Sequence, residues 1–198
     1  METRAIRVLC IAGSPRRHGS SEALLDACIE GITQAGAEAD KLVVSGMGIG
    51  PCEGCGSCSS TGECILDDPM ESVYPRIDAA DALVVASPVY FATVPATLKA
   101  LYDRCQPYWA RTYVLGLPRP ARRPGGLLLV RGGGDPYGFE GALLTTRSVF
   151  AVLGLDLHPE VLVDDVDTPA ELRKYPEAFE AARELGRALV REAHDRRR

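Results

Sequence analysis

The chain has 198 residues, is 46% hydrophobic and 25% charged, and carries a net charge of −5, so it has the length and apolar content to bury a full core without cysteine staples. The acidic balance argues against nucleic acid as the main partner, and no apolar run reaches membrane-spanning length. The apolar stretch after Met1–Arg4 is too short for a secretory signal, so the expected setting is the cytoplasm, where the seven cysteines stay reduced and do not form a disulfide framework.

Residues 6–12 (I-R-V-L-C-I-A) are an apolar run ending at Gly13 and predict a buried strand. The spacing of Leu24, Leu25, Cys28, Ile29 and Ile32 predicts a helix over 21–36, closed by Gly36. A second strand is expected over 41–45, followed by a long glycine- and cysteine-rich loop, 46–64. Helix returns over 69–80, with Pro75 as a kink or break. Residues 82–87 (A-L-V-V-A-S) predict a third strand, and Pro95 opens a helix reaching 106. The segment 107–125, rich in proline and arginine, is expected to be an exposed loop. A fourth strand over 126–131, a helix over 139–153, a fifth strand near 155–163 and a final amphipathic helix over 169–195 complete the chain. The basic run Arg196, Arg197, Arg198 complements the dipole of that last helix. Cys10, Cys28 and Cys105 fall on apolar faces, as small core residues do.

Five β-runs alternating with helices define an α/β fold, a parallel sheet covered on both faces. No break in composition divides residues 1–198 into more than one domain, which carries the cysteine-rich loop at 46–66. Right-handed crossovers favour a doubly wound sheet of strand order 2-1-3-4-5. Such sheets take ligands beyond the carboxyl ends of their strands, between the first and third. The loops to inspect are therefore those after residues 12, 45, 87 and 131.

The loop from Gly13 to Ser21 (G-S-P-R-R-H-G-S-S) ends where a helix begins. Free N–H groups at a helix start make an anion site, to which Ser14, Ser20 and Ser21 add donors and Arg16 adds charge. The bland alternative is that Ser20 or Ser21 merely caps the helix. There is no G-K-[ST] ending and no G-x-G-x-x-G, so a triphosphate held in a P-loop is not expected. After the third strand, S-P-V-Y-F-A-T-V-P offers Tyr90 and Phe91 to a planar ring. After the fourth, Gly132, Gly133 and Gly134 allow close approach of backbone to ligand. The whole describes a phosphate pocket followed by a flat apolar slot.

Cys52, Cys55, Cys58 and Cys64 follow C-x2-C-x2-C-x5-C. Bacterial ferredoxins wrap a [4Fe–4S] cluster with a similarly compact run, whereas structural zinc sites more often use two separated C-x2-C pairs. Glycines 54, 56 and 62 let the backbone turn between the thiols. A cluster, a metal-free thiol loop and a zinc site all remain open on spacing.

Taken in order, G-S-P-R with its Ser-rich helix start, P-C-x-x-C-x-x-C with a fourth cysteine, Asp67-Asp68-Pro69-Met70, S-P-V-Y-F and L-K-A-L-Y-D-R at 98–104 resemble the NADPH-dependent FMN reductase superfamily. The cysteine pattern is similar to its iron–sulfur flavoprotein branch. The resemblance is clear over residues 5–105 and looser beyond. It implies a flavodoxin-like fold and bound FMN. Ser14, Arg16, Ser20 and Ser21 would hold the phosphate, Pro88, Val89, Tyr90 and Phe91 would flank the isoalloxazine, and Gly132, Gly133 and Gly134 would line its other side. The segment 132–139 (G-G-G-D-P-Y-G-F) departs from the family's G-G-Q-E style. The branch further implies a [4Fe–4S] cluster on the four cysteines, a homodimer or homotetramer, and a redox partner or small-molecule electron acceptor, with NAD(P)H as co-substrate.

On that reading the protein is an FMN-dependent oxidoreductase or electron-transfer flavoprotein. The alternatives are an NAD(P)H-dependent FMN or quinone reductase without a cluster, and a flavin carrier without turnover. Arg111, Arg119, Arg122 and Arg123 could meet a nucleotide's extra phosphate, although a solvated loop explains them more simply. No general acid or nucleophile is required. Of the three histidines, His18 is near enough in sequence to reach the phosphate, while His158 and His194 are expected at the surface. A remoter alternative is a low-molecular-weight phosphatase, with Cys10 and Arg16 in C-x5-R and Asp135 as acid. A thiolate inside an apolar strand argues against it.

Overall fold

In the computed structural model, which describes residues 4–197, the chain alternates strand and helix from end to end. Strand β1 (Arg7–Ala12) leads to α1 (Ser20–Gln34) and β2 (Glu38–Val43). The cysteine-bearing segment follows, with one helical turn, α2 (Cys58–Thr61), and a 3-10 turn (Pro69–Ser72) before α3 (Tyr74–Ala79). Then come β3 (Ala82–Pro88), α4 (Ala96–Asp103), α5 (Gln106–Tyr113), β4 (Arg123–Val130) and α6 (Glu140–Val152). The chain closes with β5 (Leu155–Leu157), β6 (Val161–Val163), α7 (Pro169–Leu172) and α8 (Pro176–Arg196).

All pairings are parallel and the strand order is β2-β1-β3-β4-β5, the flavodoxin-like order expected from the alternation. The fifth position is filled by two short strands rather than one. β5 pairs with Arg123–Gly125 at the start of β4, and β6 pairs with Leu128–Val130 at its end. Pro159 lies in the break, where a missing N–H interrupts a ladder.

The central strands are buried on both faces, which is why their sequences are nearly continuous apolar runs. Their side chains alternate between two cores. Val8, Cys10, Ala12, Val84, Ala86 and Leu128 face α1 and α8. Leu9, Ile11, Leu83, Val85 and Leu129 face Ile77 of α3, Leu98 of α4 and Phe150 of α6. Helices α1 and α8 touch through their backbones: a Cβ on Gly31 would lie 2.1 Å from the Arg183 carbonyl oxygen, and one on Gly186 would lie 2.2 Å from that of Cys28.

Several boundaries differ from the expected ones for identifiable reasons. The predicted loop 107–125 contains α5, because Pro107 sits in the first helical turn, where its missing N–H costs nothing. Tyr108 and Ala110 bury its inner face. β4 starts at Arg123, whose side chain is not solvated but donates to the carbonyls of Ile77 and Ala80, each at 2.7 Å, capping the end of α3. Arg122 pairs with Asp156, and Arg111 and Arg119 lie over the rings of Tyr108 and Tyr113. The predicted final helix is two, since Thr168 and Glu171 form a capping box for α7 and Pro176 starts α8. The predicted helix over 69–80 breaks at Val73, between the 3-10 turn and α3, and Pro75 sits in the first turn of α3, where its missing N–H costs nothing. β2 runs over Glu38–Val43 instead of 41–45, its polar half tolerated at a sheet edge. At the end of α1, Gly36 takes φ +79° in a Schellman turn, its N–H bonded to Thr33 O and that of Ala37 to Ile32 O. His158 is half-buried and contacts Glu192, while His194 is exposed. Cys10, Cys28 and Cys105 are buried free thiols. Arg198 lies outside the described residues. Among the described residues no helix is long and apolar enough to cross a membrane.

Candidate functional site

The loop after β1 is pinned over its first residues. Gly13 N–H bonds to Ala86 O of β3 at 2.8 Å, and Ser45 after β2 donates its hydroxyl to Pro15 O at 2.9 Å. Gly19 is the N-cap of α1, and no side chain caps that first turn. Ser20 and Ser21 are therefore inside the helix rather than before it, and the N–H groups of its first turn are left for another acceptor. Ser14, Ser20 and Ser21 are all buried, and the Ser20 hydroxyl has no hydrogen-bond partner among the described residues. An orphaned buried hydroxyl beside uncapped helix N–H groups is a site built for an anion.

A cavity of about 60 Å³ opens here, lined by Ser14, Arg16, Ser20 and Ser21 and, across the sheet edge, by Pro88, Val89, Tyr90 and Gly132. By volume it holds roughly two water molecules, so it fits a phosphoryl group and leaves a larger ring to lie outside its mouth. Phe91, Gly133 and Gly134 do not line it. Phe91 is fully exposed at the tip of a tight hairpin, where Tyr90 and Thr93 exchange N–H···O bonds of 2.8 and 3.1 Å. Phe91 and Ala92 both take positive φ, +49° and +64°, which costs roughly 1–2 kcal/mol each for an L residue. Asp135 supports the tip by accepting the Ala92 N–H at 3.0 Å. Gly133 lies against the Asp165 carboxylate and Gly134 faces open space at φ +89°.

Three contributors had no distinct sequence signal. Arg131 and Asp167 line the same cavity from the ends of β4 and β6. The sheet-edge rule reaches Arg131, the residue just before the glycine run, but Asp167 lies past the end of β6 at Val163, in a stretch that no motif marks. Glu22 is the third. Its buried carboxylate accepts the His18 N–H at 2.6 Å and pairs with Lys41 at 2.9 Å. Burial alone would raise its pKa, but the bonds from Lys41 and His18 hold it below the usual carboxylate value. His18 itself is exposed, with φ +57°.

The cysteine segment hangs from the neighbouring strand, β2, at the same edge of the sheet. Cys52 and Cys55 are exposed and Cys58 and Cys64 half-buried, all four as free thiols. All four line one cavity of about 310 Å³, with Arg104 in its wall. Gly54, Gly56 and Gly62 take positive φ, between +66° and +79°, so the turns between the thiols use the glycines expected to make them. Burial raises the Cys58 thiol, and the other three thiols close by raise it further. A hydrogen bond from Ser57 lowers the Cys55 thiol. Among the described residues no three ligating groups converge closely enough for one metal ion; a tetrahedral ion at a Zn–S distance of 2.3 Å needs sulfurs about 3.8 Å apart.

The segment is closed at its base by Asp68. Its carboxylate accepts Gly50 N–H and Met70 N–H, each at 2.9 Å, and two nitrogens of Arg104 at 2.5 and 3.1 Å. Burial opposes ionisation of Asp68, but Arg104 and the two N–H groups hold its pKa low. Arg111 of α5 donates to Gly62 O at 2.7 Å and supports the far side of the loop.

The phosphatase geometry is absent. Cys10 is sealed in β1, burial pushes its thiol well up, Arg16 lines a cavity that Cys10 does not reach, and Asp135 is occupied by the N–H groups of Ala92 and Tyr137.

A doubly wound parallel sheet of this strand order, with a cavity at its switch point, defines a flavodoxin-like α/β protein. Residues 6–165 match the family model described as NADPH-dependent FMN reductase, and the chain belongs to that family, whose members are flavin oxidoreductases. It is similar to an iron–sulfur flavoprotein of Archaeoglobus fulgidus, 32% identical over 89% of this chain and 81% of that one. An iron–sulfur flavoprotein of Methanosarcina thermophila is 38% identical, over half of this chain and 52% of its own length. Among solved structures, an archaeal flavodoxin superposes with a TM-score of 0.60 at 11% identity, over 96% of this chain and 99% of that one.

Proposed function

We propose that this flavin-dependent oxidoreductase holds FMN by its monoester in the Ser14–Ser21 loop and a [4Fe–4S] cluster on Cys52, Cys55, Cys58 and Cys64, and passes electrons between a two-electron and a one-electron partner. FMN exchanges electrons in pairs or singly, and a cluster carries one at a time. Ser14, Arg16, Ser20 and the first turn of α1 would bind the phosphate, with Pro88, Val89, Tyr90 and Gly132 leading from it towards the ring. The observation that carries the reading is the pairing of two prepared sites at one sheet edge: the orphaned Ser20 hydroxyl after β1 and the four-thiol cavity after β2. Thiols gathered around one cavity, yet too spread for a single ion, support a polynuclear occupant over zinc. Two curated relatives named as iron–sulfur flavoproteins support the same reading. Electron donors of the NAD(P)H type fit the family, and the acceptor is a small molecule or a redox protein.

Anaerobic purification with iron, sulfide and flavin assays tests it. The expected product holds about one FMN and about four irons per chain, with broad absorbance near about 400 nm that bleaches on reduction. Material that keeps FMN but lacks iron after anaerobic reconstitution sinks the cluster and leaves an NAD(P)H-dependent flavin or quinone reductase. Material that neither contains nor takes up FMN sinks the whole reading.

A further inference from the structure

The run L-K-A-L-Y-D-R ends in Arg104, whose burial neither flavin binding nor ligation by the thiols requires. Its side chain is 1% exposed. Two nitrogens grip Asp68, and one of them also donates to Gly50 O at 3.2 Å. The third donor, Nε–H, is buried with no acceptor among the described residues. Arg104 also forms part of the wall of the four-thiol cavity, which Cys64 lines beside it. A loop clamp needs only the two gripping nitrogens. A buried charged donor left over at a cavity wall is costly unless the cavity supplies an acceptor.

We propose that Arg104 is a positioning residue for the cavity's occupant, donating its Nε–H to a sulfur there and using its charge to raise the potential at which the occupant accepts an electron. The inference rests on the cluster reading above. Reduction adds one negative charge to a cluster, and a fixed cation in a low-dielectric wall favours that form. Hydrogen bonds to the sulfurs and local net charge are among the factors that set cluster potentials. Asp68 opposes the effect, because its carboxylate partly cancels the guanidinium.

The opposing charges give a test that a purely structural clamp does not pass. Wild type, Arg104→Gln, Arg104→Lys and Asp68→Asn are reconstituted anaerobically as full chains, and each cluster's midpoint potential is measured by spectroscopic redox titration. Chelator-driven iron release is followed in parallel. Arg104→Gln should lower the reduced-to-oxidised ratio at a fixed potential about tenfold, a fall of about 59 mV for one electron. Asp68→Asn should move the ratio by a similar factor in the opposite direction. Arg104→Lys keeps the charge and loses the fork and the Nε–H, so its potential should fall less than that of Arg104→Gln while iron is released faster. Both Arg104→Gln and Asp68→Asn loosen the loop, so equal shifts of one sign, or no shift, overturn the proposal. Where Arg104→Gln does not retain a cluster, an unshifted or lowered potential in Asp68→Asn overturns it alone. A wild-type chain that forms no cluster fails at the first step, which refutes the cluster reading itself.

Discussion

Replacing Ser20 by alanine separates binding from folding by the sign of its two effects. The Ser20 hydroxyl is buried and unpartnered in the free protein. Leaving such a group unsatisfied costs about 1–3 kcal/mol, so Ser20→Ala should leave the flavin-free protein equally stable or more stable, by up to about 1 kcal/mol after the loss of packing. Alanine at this first helical residue carries no propensity penalty. Binding should move the other way. A hydrogen bond from a hydroxyl to a charged phosphate contributes about 1.5–3 kcal/mol, so the dissociation constant for FMN should rise roughly 10- to 150-fold. Riboflavin lacks the phosphate, and its affinity should not change. Flavin fluorescence quenching gives both constants, and denaturant unfolding of the flavin-free protein gives the stability. An unchanged FMN affinity would refute the assignment of this loop to the phosphate. Equal weakening of FMN and riboflavin would show that the substitution acts on the ring or on the fold.

Other substitutions probe separate parts of the molecule. Cys58→Ser should abolish the bleachable absorbance near about 400 nm and the bound iron while FMN stays at wild-type stoichiometry; loss of both together would mean that the two sites are not independent. Gly31→Ala places a Cβ 2.1 Å from the Arg183 carbonyl oxygen and should destabilise by about 1–3 kcal/mol. Thermal unfolding should show a melting point lower by roughly 2–4 °C per kcal/mol, with FMN affinity unaltered, and an unshifted melting point would contradict the α1–α8 contact. Glu22 has a folded pKa below its reference value of 4.5, so its contribution is complete above that value and is lost as pH falls through the lower folded one. Glu22→Gln should therefore lose less stability than wild type between pH 7 and pH 3.5 by urea unfolding, and equal losses would rule out the Glu22–Lys41 pair as a contributor.

The sheet was legible because β1, β3 and β4 are buried on both faces and so write themselves as unbroken apolar runs. β2 was harder to place. It is an edge strand, and its first half, Glu38-Ala39-Asp40-Lys41, looks like a loop until the pairing with Arg7–Cys10 is seen. α5 was missed because proline and arginine usually mark a loop, yet Pro107 occupies a first turn and Arg111 and Arg123 are spent on carbonyls. At the site, the rule that ligands lie beyond the strands' carboxyl ends located the serines, Arg16, Pro88 to Tyr90 and Gly132. It could not find Glu22 or Arg104. Both look like surface charges on amphipathic helices, and only partners far along the chain bury them: Lys41 for the first, Asp68 for the second.

These hidden charges have one feature in common. Three buried or half-buried cations at this edge of the sheet come with carboxylates: Lys41 with Glu22, Arg104 with Asp68, and Arg131 with Asp164. A lone buried cation would destabilise the ligand-free chain by several kcal/mol, whereas a paired one is tolerated. Phosphate monoesters and thiolate-held clusters are both anionic, and both need positive potential at the moment of binding. A paired cation still has unused N–H donors for the anion, as Arg104 Nε does, while its carboxylate keeps the empty site foldable. Sequence composition conceals this arrangement, since cation and carboxylate cancel in the net charge of −5. Its consequence is that removing a carboxylate should strengthen the local positive field while weakening the ligand-free fold, and removing the cation should do the reverse to the field. The opposite shifts expected for Asp68→Asn and Arg104→Gln are that same asymmetry read as a redox potential.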